Sequence, residues 1–398
     1  MCDFFKRTWV QINLDAIDYN FNIIKEHLEP QTLVCCVIKA DAYGHGAVRI
    51  AKEYEKLGAD YFAVSNLEEG IQLRNAGIEK PILILGYTPP CCAKELSRLN
   101  ITQAVFSYEY GEELSNEACK AGVNVRIHIK LDTGMSRIGF LFQNPIRDVS
   151  SIDEIEKTYK LPSLDTEGIF THFSVADEGN DGRAYTLMQF DSFMKGIELL
   201  NKRGITFKIR HCANSASIFD YPQIQLDMVR PGIVLYGLNP SDKLKNETEL
   251  MPAMELKSIV SQVKTVEPQT SISYGRKYIS KKTMKIATVP IGYADGYPRH
   301  TYIRGTVLIH GKKAKIIGRI CMDQLMVNVS SVHDVKSGDT VTLIGRDGDA
   351  AITADEIALY NNTINYEIVS MISKRVPRIY YKDGKETEEL NYICNSDN

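Results

Sequence analysis

From Leu33 to Val229 the sequence alternates short apolar runs with amphipathic stretches, and this regularity constrains the fold more than any other feature. Leu33–Ile38 is continuously apolar, the mark of a strand buried on both faces. Further runs at Tyr61–Val64, Ile82–Leu85, Ala104–Ser107, Val125–Leu131, Gly168–His172, Phe207–Cys212 and Leu226–Val229 bring the strand candidates to eight. Helix-like segments separate most of them, such as Ala47–Gly58 and the spacing of Leu187, Phe190, Met194 and Ile197. Ile17, Phe21, Ile24 and Leu28 fall on one helical face behind Asp15 as N-cap. Ser65-Asn66-Leu67-Glu68 reads as a capping box opening a helix that Gly77 closes. Regular βα alternation implies a parallel sheet, and eight repeats point to an α/β fold with a closed, TIM-like (β/α)8 barrel. A doubly wound sheet would alternate in the same way, so the strand count is the discriminator.

After Leu238-Asn239-Pro240 the texture changes. Residues 241–250 are polar and charged, a fair linker. Beyond Met254 come short runs at Leu256–Val266, Lys285–Ile291, Thr306–Ile309, Ala314–Ile320, Met326–Val329 and Thr340–Ile344, punctuated by glycine turns. Thr353–Tyr360 reads as one helix capped by Thr353. The expected organisation is a barrel domain over residues 1–245 and a mostly β C-terminal domain over 246–398, with residues 9–14 a candidate strand for the second domain. Cys394 to Asn398 read as a disordered end.

The chain of 398 residues carries a formal net charge of -3 without a Lys/Arg-rich run, which argues against a nucleic-acid partner or an anionic membrane surface. A small anionic ligand stays open, because one pocket can be basic in a neutral protein. The opening residues lack the apolar core and cleavage site of a signal peptide, and no apolar run approaches the roughly 20 residues of a membrane span. Nine cysteines, an odd number with no CxxC spacing, read as reduced thiols, so the expected location is the cytoplasm. His45, His128 and His211 show no metal-ligand spacing and read as structural, and no metal is expected.

The stretch Val37-Ile38-Lys39-Ala40-Asp41-Ala42-Tyr43-Gly44-His45-Gly46-Ala47 carries the most chemistry. Lys39 ends the first buried strand, before a loop with two glycines and a helix. In a parallel barrel this is the active face. A lysine in a partly desolvated pocket loses proton affinity and can attack an aldehyde cofactor. For an arbitrary lysine, turning outward to water is the commoner outcome.

The neighbours of Lys39 reverse that judgement. The stretch closely resembles the cofactor-lysine signature of the alanine racemase family, and eight more segments follow in the family's order. These are 129–140 (IKLDTGMSRIGF), Thr171-His172-Phe173 with Ala176-Asp177-Glu178, Cys212–Ala216, Arg230-Pro231-Gly232-Ile233 and Ser273-Tyr274-Gly275. Gly292–Tyr297, Cys321-Met322-Asp323-Gln324 and Thr363–Glu367 complete the series.

The resemblance implies a pyridoxal-phosphate enzyme supplying D-alanine for peptidoglycan, a barrel followed by a β domain, and a head-to-tail homodimer whose β domain completes the partner's site. It makes Lys39 both the Schiff-base lysine and one of two proton-transfer bases. Tyr274, from the other subunit, would be the opposing base, since racemisation needs acid/base groups on both faces of a planar carbanion. Arg230 would face the pyridine nitrogen. A guanidinium cannot accept a hydrogen bond, so that nitrogen must be the unprotonated acceptor, and a neutral ring is a poorer electron sink. Tyr43, Ser215, Tyr366 and the amides of Gly232 and Ile233 would hold the phosphate, with Asn214 beside them and His172 supporting Arg230. Arg137 would grip the substrate carboxylate, with Met322 from the partner in the same site. Asp323 and Tyr293 would line the entrance. Lys130 matches a position often carbamylated; unmodified, it would repel Arg137.

Three other readings compete. A decarboxylase of the same architecture would place a carboxylate, not Arg230, at the ring nitrogen. A non-catalytic cofactor carrier would lack the second domain. Racemases acting on serine or on many amino acids share the motifs, and those forms are commonly exported or fused to membrane segments.

Overall fold

The computed structural model describes residues 7–246 and 248–394. The expected disordered end therefore falls, apart from Cys394, outside the described residues. The chain divides into two compact units: one holds Asp18–Ala42 and Ala47–Met251, the other the chain up to Ile17, Tyr43–Gly46 and everything from Pro252 onward.

Strand β1 (Thr8–Asn13) belongs to the second of these. The first is the barrel, with strands β2 (Leu33–Val37), β3 (Tyr61–Val64), β4 (Ile82–Ile84), β5 (Ile101–Val105), β6 (Val125–Asp132), β7 (Leu164–Phe170), β8 (Ile209–His211) and β9 (Met228–Val229). All run parallel in the order β9-β2-β3-β4-β5-β6-β7-β8. Between β8 and β9 no strand ladder forms. The Asp227 amide instead donates to the Arg210 carbonyl at 3.1 Å and the Arg230 amide to the Ala213 carbonyl at 3.0 Å, which nearly closes the barrel. Every residue of β3, β4 and β5 is buried; β3 and β4 accordingly read as unbroken apolar runs, whereas buried Thr102 and Gln103 interrupt β5. Burial pushes the Cys35 thiol up to about 12, leaving it an inert core residue. The eight described cysteines are all free.

Some local boundaries differ from the sequence reading. The helix Leu14–Glu26 is capped by Asn13, whose side chain accepts the amides of Asp15 and Ala16, not by Asp15. The helix Leu67–Asn75 is capped by Asn66, which accepts the Glu69 amide, so the cap lies one residue later than read, while the Glu69 carboxylate accepts the amides of Ser65 and Ala40. The fourth strand candidate, Ala104–Ser107, begins earlier and stops at Val105, because Ser107 caps the next helix. The 241–250 linker is partly tied down, since the Asp220 carboxylate accepts the amides of Lys245 and Asn246.

The other unit is built on an eleven-stranded sheet. β1 lies between Met254–Ile259, to which it pairs antiparallel, and Arg378–Lys382, to which it pairs parallel. The run Leu256–Val266 is two strands broken at Val260-Ser261, and Thr353 caps the helix Ala354–Asn361.

Candidate active site

Lys39 follows the end of β2, but the next residues do not form an ordinary loop. Ala40, Asp41, Ala42 and Tyr43 all have φ between 52° and 56°, a left-handed helical turn in four consecutive residues that have a Cβ. Each such residue costs roughly 1–2 kcal/mol. Carboxylates hold it: Glu69 accepts the amides of Ala40 and Ser65, both at 2.7 Å, and Asp41 accepts the amide of Ala47. Lys39 is half-buried. Burial first, then the charge of Arg137, lowers its pKa, and Glu69 opposes them.

Other groups gather at the same strand ends. Arg230, after β9, is buried, and its Nη1 lies 2.8 Å from His211 Nδ1. Its Nη2 donates to the carbonyls of Thr171 and Cys212 and faces His172 Nδ1 at 3.3 Å. Among the described residues its Nε–H meets no acceptor. His172 is held neutral by burial and then by the charges of Arg230, Lys130, Arg137 and Lys39. Lys130, on β6, is buried, donates among the described residues only to its neighbour's carbonyl (Leu131), and is lowered to about 7 by burial and then Arg230. Its ammonium stands over the Phe170 ring at 5.4 Å. Arg137 is exposed, and no carboxylate pairs with it among the described residues. The expected repulsion between Lys130 and Arg137 is present as a charge effect, without a direct contact.

Asn214 caps the short helix Ser215–Asp220 in a reciprocal box with Ser217. The Ser215 hydroxyl accepts the amide of Gly232 at 2.9 Å. Ile233 opens the tight turn Ile233–Tyr236, where the first N–H groups have no acceptor within the helix.

In the second unit, Tyr274, Met322 and Asp323 line one open hollow of about 580 Å³ together with Ser273, Gly275, Cys321 and Gln324. Tyr274 is 66% exposed, on a turn where Ser273, Gly275 and Arg276 all have positive φ. The Tyr293 amide donates to the Cys321 carbonyl, which ties Tyr293 to the same loop. Arg375 bridges Asp323 at 2.9 Å and buried Asp295 at 3.8 Å. The rings of Tyr43 and Tyr366 lie 6.0 Å apart.

The profile described as "Alanine racemase, N-terminal domain" matches residues 12–240, and that of "Alanine racemase, C-terminal domain" matches 253–380. The chain belongs to the alanine racemase family. It is 46% identical to the alanine racemase of Clostridium tetani over 97% of this chain and 98% of that one. The solved alanine racemase of Clostridium difficile 630 superposes with a TM-score of 0.92 at 44% identity, covering 98% of this chain and all of that one. The histidine racemase of Leuconostoc mesenteroides is also similar, with a TM-score of 0.82 and 28% identity over 95% and 99% of the two chains. The chain is thus an enzyme of a pyridoxal-phosphate-dependent amino-acid racemase family.

The sequence reading set His128 and His211 aside as structural, yet both stand in line with Arg230. Glu167 and Tyr61, at the far end of that line, were missed entirely. Their signal is weak, because an isolated His or Glu in a strand announces no partner. Arg375 was missed for the same reason. No group of three or more acidic, His or Cys residues suited to a metal occurs among the described residues, and none of their helices is long and apolar enough to cross a membrane.

Proposed function

We propose that the chain interconverts L- and D-alanine with pyridoxal phosphate as cofactor, with Lys39 and the Tyr274 of a second copy as the two proton-transfer groups. One observation carries this reading: a half-buried lysine whose neighbours at the barrel rim are overwhelmingly cationic. The charge of Arg137 acts on Lys39, Lys130, His172 and Arg230, opposed by Glu69 at Lys39, Asp132 at Lys130 and the thiols of Cys212 and Cys35 at Arg230. Such a place suits a ligand with a phosphate and a carboxylate.

The residues fit a phosphorylated aldehyde that has a ring nitrogen. Lys39 is shifted toward the neutral amine that an aldehyde needs. Arg230 keeps a donor free for a ring nitrogen. On this reading the Ser215 O–H and the Ile233 amide are donors for a phosphate, the Gly232 amide, which Ser215 now accepts, would turn to it, Asn214 fixes the turn, and Tyr43 and Tyr366 add hydroxyls. When bound, pyridoxal phosphate supplies an electron-withdrawing conjugated ring that acidifies the substrate's Cα–H.

Everything else falls to the side chains. Lys39 exchanges a proton with Cα on one face and Tyr274 on the other. Arg137 grips the carboxylate through its planar fork. Arg230 offers only donors, which keeps the ring nitrogen unprotonated and restrains side reactions. Tyr293, Met322 and Asp323 restrict entry, and selectivity for a one-carbon side chain comes from excluding larger ones. On this reading the enzyme is a cytoplasmic homodimer supplying D-alanine for peptidoglycan.

The test is incubation with L-alanine in heavy water, following optical rotation and Cα deuteration together. Both should proceed, and borohydride should fix the cofactor on Lys39. Release of carbon dioxide, or bound cofactor without exchange, would sink the assignment. A broader racemase is the second reading, favoured by the similarity to a histidine racemase. Deuteration of histidine or serine at rates rivalling alanine would establish it.

A further inference from the structure

Five side chains form one hydrogen-bonded line inside the barrel. Arg230 Nη1 meets His211 Nδ1 at 2.8 Å, and His211 Nε2 meets His128 Nδ1 at 2.9 Å. His128 Nε2 faces Glu167 Oε2 at 3.4 Å, and the same oxygen accepts the Tyr61 hydroxyl at 2.5 Å. The donor inventory settles every proton. A guanidinium can only donate, so His211 Nδ1 must accept and its hydrogen sits on Nε2. His128 Nδ1 must then accept as well, which puts its hydrogen on Nε2, aimed at the carboxylate.

We infer that Glu167 is a positioning residue: its carboxylate accepts the N–H that His128 presents at the end of the line, and so anchors His128 and His211 and through them the orientation of Arg230. The inference rests on the function proposed above only in what Arg230 faces.

The line is built into the fold. The β6–β7 register shifts between Ile127 and His128, and a bulge of this kind re-aims a side chain. Gly168 faces the imidazole so closely that a Cβ there would lie 2.7 Å from His128 Cε1. Phe170 stacks on His211 with centroids 4.8 Å apart and planes 10° apart. Both histidines are fully buried, and burial lowers the pKa of each, so they stay neutral and can relay direction without carrying charge. Burial opposes charge on Glu167, but hydrogen bonds from His128 and Tyr61 outweigh it and hold the carboxyl at about 2. Arg126 at 3.9 Å and Lys208 at 3.6 Å also face that carboxylate.

Reversal would be costly at one point. With its hydrogen on Nδ1, His211 would confront an Arg230 N–H across 2.8 Å, and the guanidinium would have to move. A carboxylate at the far end cannot donate, so it excludes that arrangement.

The test is the ring-nitrogen NMR spectrum of 15N-histidine-labelled protein, with His128 and His211 assigned by single substitution. Wild type should show both rings neutral with hydrogen on Nε2. Glu167→Gln keeps an acceptor oxygen and should keep both tautomers. Glu167→Met removes it and leaves the buried His128 Nε2–H without an acceptor, and should shift or broaden the His128 and His211 ring signals, alter the absorption band of the bound cofactor, and weaken cofactor binding about tenfold. A charged ring or an Nδ1–H on His211 in wild type overturns the inference without any variant, as do unchanged ring signals and an unchanged cofactor band in a folded Glu167→Met protein. Because the ring signals are read without alanine, failure of racemisation would not be mistaken for failure of the line.

Discussion

The Ser215 hydroxyl accepts the Gly232 amide at 2.9 Å, joining the starts of two short helical turns that approach from different strands. Both groups are buried, so the bond is part of the scaffold as well as of the proposed phosphate cradle. Ser215→Ala leaves the Gly232 N–H without its acceptor, which costs about 1–3 kcal/mol. Thermal unfolding of the cofactor-free protein should show that loss, and titration with pyridoxal phosphate should show at least about tenfold weaker binding. An unchanged titration would remove Ser215 from the cradle.

The barrel was legible because its strands are buried on both faces and so leave continuous apolar runs, as at Leu33–Val37 and Ile82–Ile84. Helix caps were harder, because Asp15 and Asn13 both suit an N-cap and only the backbone decides between them. The left-handed turn after Lys39 was not legible at all. Ala40 and Ala42 carry no local preference for positive φ, and tertiary contacts impose it. Lys39, Arg137 and Arg230 were singled out by their flanking motifs, whereas the His128–His211–Glu167 line joins three strands whose sequences are far apart.

Lys130 should make stability depend on pH. Its folded pKa is about 7 against an ordinary lysine value near 10.4. Between these values the unfolded chain holds the proton and the folded chain does not, so stability rises with pH across that window. Below about 7 both states are protonated and the folded protein bears a buried charge. Lys130→Met should therefore raise the melting temperature most near pH 7 and progressively less toward pH 10. An equal gain at all pH values would show that the lysine keeps its proton when folded.

Removing the charge of Arg137 should act on Lys39 at a distance. Arg137 lowers the lysine's pKa, so Arg137→Gln should raise it and leave less neutral amine at pH 7. The rate at which cofactor-free protein captures pyridoxal phosphate should fall, and its pH profile should move to higher pH. Arg137→Lys keeps the charge and should leave that profile in place while raising KM for alanine, because the planar fork is lost.

Two substitutions at the strained turn should have opposite consequences. Ala40 is exposed with φ 52°, so Ala40→Gly relieves a left-handed residue while loosening the unfolded chain. Denaturant unfolding should place it within about 1 kcal/mol of the parent, on the stabilising side. Gly44 has φ 82°, and a Cβ there would lie 2.4 Å from the Val369 carbonyl oxygen. Gly44→Ala should lose more than about 2 kcal/mol. Equal effects at the two positions would mean that the turn stores no strain.

Mixing two inactive variants tests whether sites are shared between copies. In a dimer of Lys39→Ala with Tyr274→Ala, one site combines both defects. The other combines the intact Lys39 of one copy with the intact Tyr274 of its partner. Random exchange makes half of the dimers mixed, each with one competent site, so activity should recover to about a quarter of the wild-type value. Were Lys39 and Tyr274 to act within one copy, each chain would still lack a base and mixing would restore nothing. Native mass spectrometry of the same mixture confirms the exchange, so an inactive mixture that contains mixed dimers would exclude the shared site.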